Sequence, residues 1–262
     1  MLRKKVVSYI YLSCRTQEGD DLSYKTELHC HSATVSKCAS AEPEAIVEKY
    51  LEKGYSSLVL TEHCSRFTFK NKKNGDRSAL PWNEKIDFFM SGVRALERAA
   101  AGRMNIIQGC EIRLNTDDND YQIYGDSEEF LRAYPDIMDV DIAVLSERVR
   151  EAGLLLVQAH PFRNAMRVVK PELLDGVEVY NGSTSHDSRN DIALMWAERH
   201  GLIKTSGSDY HNVELGLISG GIVTDEPIRT NSELLDILRT GRYTMLGDPA
   251  VLPTELVGAG GQ

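Results

Sequence analysis

A chain of 262 residues, 42% hydrophobic and 26% charged, can bury a large core and is ordinary for a globular protein. It has no run of 18 apolar residues, which excludes a conventional transmembrane helix. Its net charge of −9 argues against broad binding to a phosphate backbone, but leaves room for a small anionic substrate beside bound cations.

Residues 1–23 read as an N-terminal extension. Three basic residues precede a short apolar run, 6–12, which Ser8 interrupts; this is the lower limit for a signal-peptide core, and the polar stretch 15–21 follows it. From Tyr24 onward, strand and helix patterns alternate. Residues 24–30 (YKTELHC) predict a strand. Residues 42–53 predict a helix with Pro43 in its first turn, Ile46, Val47, Tyr50 and Leu51 on one face, and Gly54 as its stop. A buried strand is expected over 55–63. The polar loop 66–82 follows; its Lys70, Lys72 and Lys73 either steer an anion or are simply solvated, and the Asn74–Gly75 turn gives it the character of a lid.

Ile86, Phe89, Met90, Val93 and Leu96 recur at helical spacing, and Gly102 ends that helix. Strands are expected over 104–112 and 120–125, a helix over 136–152, strands over 153–160 and 173–182, and a helix over 187–201 closed by Gly201. A strand over 202–211, a helix near 232–239 and an extended 241–246 complete the pattern, with 251–262 as a flexible tail. Alternating β and α over this length points to one parallel α/β domain at 24–250, most simply a barrel.

The titratable residues fall at one place in that pattern. His29 and His31 close the first strand, His63 the second, and Glu111 ends the third; His160 closes 153–160, and Asp209 and His211 close 202–211. In parallel α/β folds, ligands and catalytic groups gather at the C-terminal strand edge. Residues i and i+2 of a strand share a face, with Cα atoms roughly 6–7 Å apart, so His29/His31 and Asp209/His211 are two pairs that can each reach one cation. Imidazole suits Zn, Fe and Ni, and carboxylates widen the range to Mn. Glu111 can bridge two ions, and two ions about 4 Å apart can activate a water and clamp both oxygens of an in-line displacement. A single histidine at a strand end is usually an ordinary hydrogen-bonded residue; five histidines and two acids at one edge are a constellation. His200, in the last turn of a helix, reads as structural.

Five cysteines, an odd number with no C-x-x-C, suggest no disulfide framework and fit a reducing cytoplasm. Strand alternation turns Cys30 and Cys110 towards the core, whereas Cys38, in the loop after His31, can reach the site.

Five motifs in order, ELHCHS at 27–32, LTEH at 60–63, GCEI at 109–112, QAHPF at 158–162 and GSDYH at 207–211, resemble those of the polymerase-and-histidinol-phosphatase (PHP) metal-dependent phosphoesterases. The resemblance runs from about Tyr24 to Leu246, and a bacterial subgroup has similar NDYQIYG and GVEVYNG segments. It implies a distorted, TIM-like (β/α)7 barrel, two or three divalent ions (Zn, Mn or Fe), and hydrolysis of a phosphate ester by metal-activated water. Carried over by motif, one ion would take His29, His31, Glu111 and Asp209; a second would share Glu111 and add His160; a third would take His63 and His211. Asp209, His211, Glu111 and His160 are thus the expected catalytic residues. The chain departs from the family twice. Where many members have a metal-binding histidine in the strand after the Glu motif, Asp120 is the nearest match. Where they have an acid or histidine after His-x-His, Cys38 is the available donor. Glu62 stands where many members have Asp, and would support a histidine ligand.

Arg163 follows the QAHPF motif and Arg189 starts the helix after GVEVYNG. A guanidinium beside a metal cluster suits the outer oxygens of a phosphate, although a surface salt bridge is nearly as good a reading of Arg189. Asn181 and His186 contact substrate or shape the turn they lie in. The expected activity is hydrolysis of a small phosphorylated metabolite, with neither nucleic acid nor membrane as partner. Two alternatives use the same site: a nuclease or nucleotide phosphodiesterase, and a C–N or ester metallohydrolase. The first would want a basic groove with stacking aromatics, and aromatics are only 7% of the chain.

Overall fold

The computed structural model describes residues 23–70, 75–214 and 220–251. The extension over 1–22, Lys72, Lys73 and Asn74 of the expected lid, and the tail beyond 251 lie outside them.

In chain order the elements are β1 (Tyr24–Cys30), α1 (Pro43–Glu52), β2 (Tyr55–Leu60), β3 (His63–Cys64), α2 (Arg66–Phe69), α3 (Trp82–Phe89), α4 (Ser91–Ala100), β4 (Asn105–Arg113), β5 (Asp120–Tyr124) and α5 (Ser127–Ala133). They continue with α6 (Ile142–Glu151), β6 (Leu155–Gln158), β7 (Gly176–Asn181), α7 (Asn190–His200), β8 (Ile203–Gly207), β9 (Ile222–Thr224), α8 (Asn231–Thr240) and β10 (Thr244–Met245). The sheet runs β10-β9-β1-β2-β4-β5-β6-β7-β8, with β3 pairing on β4. Its two ends approach at the histidine edge, where Cys30 and Tyr210 form a parallel bridge and the His31 N–H donates to the Tyr210 carbonyl at 3.0 Å. The wall from β1 to β8 is therefore the expected distorted barrel, nearly closed.

Two strands depart from the all-parallel expectation: β9 runs antiparallel to β1 and β10, and β5 reverses within the barrel wall. β5 runs antiparallel to both β4 and β6. Only residues 114–119 join β4 to β5, too short for the crossover a parallel pair requires. This reversal places Asp120, the first residue of β5, at the same edge as the ends of the parallel strands. The strand expected over 55–63 breaks after Leu60 and resumes as β3, and the expected single helix after the lid is α3 and α4 meeting at Met90. The helix expected over 136–152 starts only at Ile142, where the Asp141 carboxylate accepts from the Val144 N–H at 3.0 Å.

Two glycines make the barrel closure possible. A Cβ on Gly220 would lie 2.2 Å from the Gly207 carbonyl carbon, and one on Gly221 would lie 2.1 Å from the Thr26 carbonyl oxygen. Gly221 also has φ +102, a conformation that L side chains rarely adopt. The backbone just before β9 is thus wedged into the seam between β1 and β8.

The larger apolar core lies between helices and sheet, with Ile46, Leu58, Phe89, Leu96, Ile112 and Leu145 fully buried. A second cluster packs Leu28, Val59, Ile107, Tyr124 and Val157 against Ile222, Leu234 and Leu238. The Arg239 guanidinium of α8 donates to the Gly153 carbonyl, just before β6 begins. The C-terminal helix therefore closes the strand-start end of the barrel and leaves the other end to the histidines.

Candidate metal centre

Glu111 is the centre of this end of the barrel. It is buried, and neither of its carboxylate oxygens accepts a hydrogen bond of good geometry among the described residues. Imidazole nitrogens ring it instead: His63 Nδ1 at 2.7 Å, His29 Nε2 at 3.3 Å, and His31 Nε2 and His160 Nε2 each at 3.4 Å. The Asp209 Oδ1 atom lies 3.3 Å from His29 Nε2, 3.5 Å from His31 Nε2 and 3.3 Å from His211 Nδ1. Three groups of donors have their ligating atoms within 4.8 Å of one another, and they divide the same residues differently from the sets that the resemblance implies: His29–His31–Glu111, His29–His160–Asp209 and His31–His63–His211. A buried carboxylate with no well-aligned hydrogen bond among the described residues, surrounded by nitrogens at near-contact distance, is an arrangement that a divalent cation satisfies.

The electrostatics follow from that crowding. Burial drives the His29 imidazole down, but Glu178, Asp209 and Glu111 outweigh it and hold its pKa well above the ordinary value. Burial likewise lowers His211, and Asp209 brings it back up to about 10. His31 goes the other way: burial, reinforced by His63 and His211, keeps it well below normal. Burial would raise Glu111 and Asp209, yet the neighbouring histidines hold both carboxylates well below their usual range.

The local chain explains how the donors are aimed. His29, His31, His160, Asp209 and His211 sit at or just beyond the end of a strand, whereas His63 opens β3 and pairs with Glu111 inside β4. His160 and Asp209 have φ of 29 and 51, left-handed values that non-glycine residues adopt only when their surroundings impose them. Behind the donors stands a second set of buried carboxylates. Glu178 Oε1 accepts from His29 Nδ1 at 2.8 Å; its Oε2 accepts from the His160 backbone N–H and from the Asn181 amide, each at 2.9 Å. Glu27 Oε1 accepts from the N–H groups of Leu28, His29 and Ser208, tying the end of β1 to the residue after β8. Glu62 supports a histidine as expected, but at one remove: it accepts from the hydroxyls of Ser32 and Ser36, and Ser36 Oγ lies 3.4 Å from His31 Nδ1.

A cavity of about 670 Å³ opens over the cluster. Its walls include Arg113, Asp120, His160, Arg163, His186 and Cys38. Asp120 has a partner that the sequence reading lacks: Arg113 Nε donates to its Oδ1 at 2.7 Å and Nη2 to its Oδ2, while Arg163 Nη2 lies 3.5 Å from the same oxygen. Asp120 is within ligating reach of Glu111 and His63, but its charge is already met by guanidinium. His186 faces the His160 ring at 5.7 Å, and its Nε2 is buried with no hydrogen-bond partner among the described residues; burial lowers its pKa to about 4.

Asn181 and Arg189 are elsewhere. Asn181 is buried behind the donors, where its amide also reaches Asp209 Oδ2 at 3.3 Å. Arg189 is not among the cavity walls; its guanidinium binds the Phe162 carbonyl and the Asn164 side chain and pins the turn after β6. Neither residue lines the cavity, so their contacts fit the alternative readings, turn-shaping for Asn181 and a surface anchor for Arg189, better than substrate contact.

Cys38 is exposed at the rim of the cavity, which His63 and His211 also line. Desolvation of the thiol would raise its pKa, but the neighbouring His211 and His63 imidazoles reverse the effect and bring it to about 6. Glu178, Glu27 and Arg113 are the functional positions that the sequence reading missed. The available signal for Glu178 was a lone acid inside the apolar strand pattern Val177-Glu178-Val179.

The PHP domain model matches residues 27–245 of the chain. No curated protein gives a significant match. Among solved structures, PsfC from Pseudomonas syringae PB-5123 superposes with a TM-score of 0.62 at 16% identity, over 90% of this chain and 95% of its own. A two-domain protein of Bacteroides vulgatus ATCC 8482, described as containing a predicted PHP-like metal-dependent phosphoesterase, gives 0.60 at 17% identity, over 91% of this chain and 69% of its own. The lesion-specific endonuclease EndoQ of Pyrococcus furiosus gives 0.54 at 15% identity, over 87% of this chain and 60% of its own.

Proposed function

The chain belongs to the PHP domain family, and from that premise we propose that it hydrolyses a small phosphorylated metabolite in a metal-dependent reaction. The observation that carries this reading is Glu111, a buried carboxylate with no well-aligned hydrogen bond among the described residues, ringed by four imidazoles beside a cavity of about 670 Å³ whose walls include His63, His160 and Asp209. That volume is typical of small-molecule sites.

His29, His31, Glu111 and Asp209 form the first set of cation ligands; His160 extends it through Glu111, and His63 and His211 stand on the outer side. Divalent ions held there would supply Lewis-acid stabilisation of phosphoryl charge and a nucleophile at neutral pH. The protein's part is orientation. Glu178 fixes the His29 ring and the His160 backbone together, so the imidazoles keep their aim without substrate. Arg163, and Arg113 on the same wall, present guanidinium groups to the outer oxygens of a phosphate. His186, kept neutral by burial, offers an unused ring nitrogen to the bound ester. Asp120 holds Arg113 in place and is a cation ligand only in a subordinate way.

The test is phosphate release from a panel of phosphorylated metabolites with Mn²⁺, Zn²⁺ or Fe²⁺, run beside Asp209→Asn. Release by the wild type that falls by about a hundredfold or more in the variant supports the reading. A protein that binds metal but releases no phosphate from any monoester overturns the substrate class. The similarity to a lesion-specific endonuclease favours a second reading, cleavage of a nucleic-acid diester. A lesion-bearing duplex belongs in the same panel, and the net charge of −9 predicts weak binding that fades further with salt.

A further inference from the structure

The loop after β7 is organised around one side chain. The Asn181 amide donates to Glu178 Oε2 at 2.9 Å, and Asn181 Oδ1 accepts from the Ser183 N–H at 3.0 Å. Ser183 Oγ accepts from the Ser185 N–H at 3.4 Å and lies 2.8 Å from Ser185 Oγ. Ser185 Oγ in turn lies 3.0 Å from His186 Nδ1. A chain of contacts thus runs from the carboxylate that holds His29 and His160 to the His186 ring. Ser183, Ser185 and His186 all line the cavity, and Ser185 is exposed to solvent. The far side of the ring turns inward. It meets the His160 ring at an interplanar angle of 80°, and its buried Nε2 has no hydrogen-bond partner among the described residues. A phosphate ester dianion offers that nitrogen only oxygen acceptors. Bound ester therefore selects the tautomer with hydrogen on Nε2, and Nδ1 then accepts from the Ser185 hydroxyl.

We propose that His186 is a catalytic residue that hands a proton to the leaving-group oxygen of the ester. This rests on the phosphoesterase reading above and supplies its leaving-group side. Arg113 and Arg163 suit oxygens that stay on phosphorus, whereas an alkoxide departs poorly until it gains a proton. As the water oxygen bonds to phosphorus, the ester P–O bond breaks and its electron pair stays on the leaving oxygen. That oxygen takes the Nε2 proton. Nδ1 takes the Ser185 hydroxyl proton, so the imidazole is neutral before and after the step. Ser185 is resupplied by Ser183, and Ser183 by solvent, which receives the proton lost by the attacking water. The donor matters most for esters of weakly acidic alcohols.

The experiment compares phenyl phosphate with p-nitrophenyl phosphate, esters of similar size whose alcohols differ in acidity, on the full chain loaded with Mn²⁺. Wild type, His186→Ala and Ser185→Ala are assayed side by side, and bound metal is counted in each. His186→Ala should lose about a hundredfold in kcat/KM on phenyl phosphate and at least about tenfold less on the nitro ester. Ser185→Ala, at an exposed position, should show the same bias more weakly with its metal content unchanged, and it decides the matter should His186→Ala lose its metal. Nitrogen NMR of the Zn²⁺ form with inorganic phosphate should place the His186 hydrogen on Nε2. Losses equal on the two esters, no loss at all, or a hydrogen on Nδ1 overturn the proton donor and leave the hydrolase standing. No phosphate release from either ester by the metal-loaded wild type overturns both.

Discussion

At the scale of single residues, the site depends on a carboxylate that touches no cavity. Glu178 gathers His29, the backbone of His160 and Asn181 onto one side chain. Glu178→Gln keeps the shape but replaces one acceptor oxygen with an amide donor, so whichever way the amide turns, either His29 Nδ1 or the His160 and Asn181 N–H groups lose their acceptor. Metal affinity, measured by competition with a chromogenic chelator, should fall between about tenfold and a hundredfold while the circular dichroism stays unchanged. Unchanged affinity would mean that Glu178 does not aim the donors. This is also where the sequence was least legible. The alternation of strand residues makes His29, His31, Asp209 and His211 stand out, because their strand ends and i, i+2 spacing are local properties. Glu178 acts on His29, 149 residues away, and Arg113 meets Asp120 only because β5 turns back on β4, a reversal that the strand patterns do not announce.

At the scale of elements, the seam between β1 and β8 and the cap at the opposite end make different demands. Gly221→Ala puts a methyl group into the Thr26 carbonyl at a left-handed φ, so either the seam opens or the backbone is strained. Urea unfolding should show a loss of about 2 kcal/mol or more, with weaker metal binding because β1 carries His29 and His31. Thr230 caps α8 in a reciprocal pair with Glu233 at the far end. Thr230→Ala should cost about 1 kcal/mol and leave metal affinity unchanged. If both variants weakened metal binding equally, the two ends would be coupled more tightly than the packing implies. The elements themselves were mostly legible, since helical and strand periods survive in the sequence. The direction of β5 was not, because it follows from the length of a connection and not from any feature of the strand.

At the scale of the whole molecule, metal binding and folding are linked. Ions that bind only the folded chain stabilise it by about 2.7 kcal/mol at a hundredfold excess over Kd. For a chain of this size the melting temperature should rise by roughly 5–10 °C as Zn²⁺ or Mn²⁺ is added, and a chelator should reverse the rise. A melting temperature indifferent to both would count against a centre assembled from the strand ends.

The Glu27 carboxylate accepts from a backbone N–H at Ser208, 181 residues further on. During synthesis the first strand emerges with two of its histidines and must wait for almost all the rest. Until then a metal ion can find His29, His31, His63, Glu111 and His160, but neither Asp209 nor His211 to hold them together. Protein halted before β8 should therefore capture ions loosely and release them to chelators at once. Tight retention would mark the moment when the last stave of the barrel has docked.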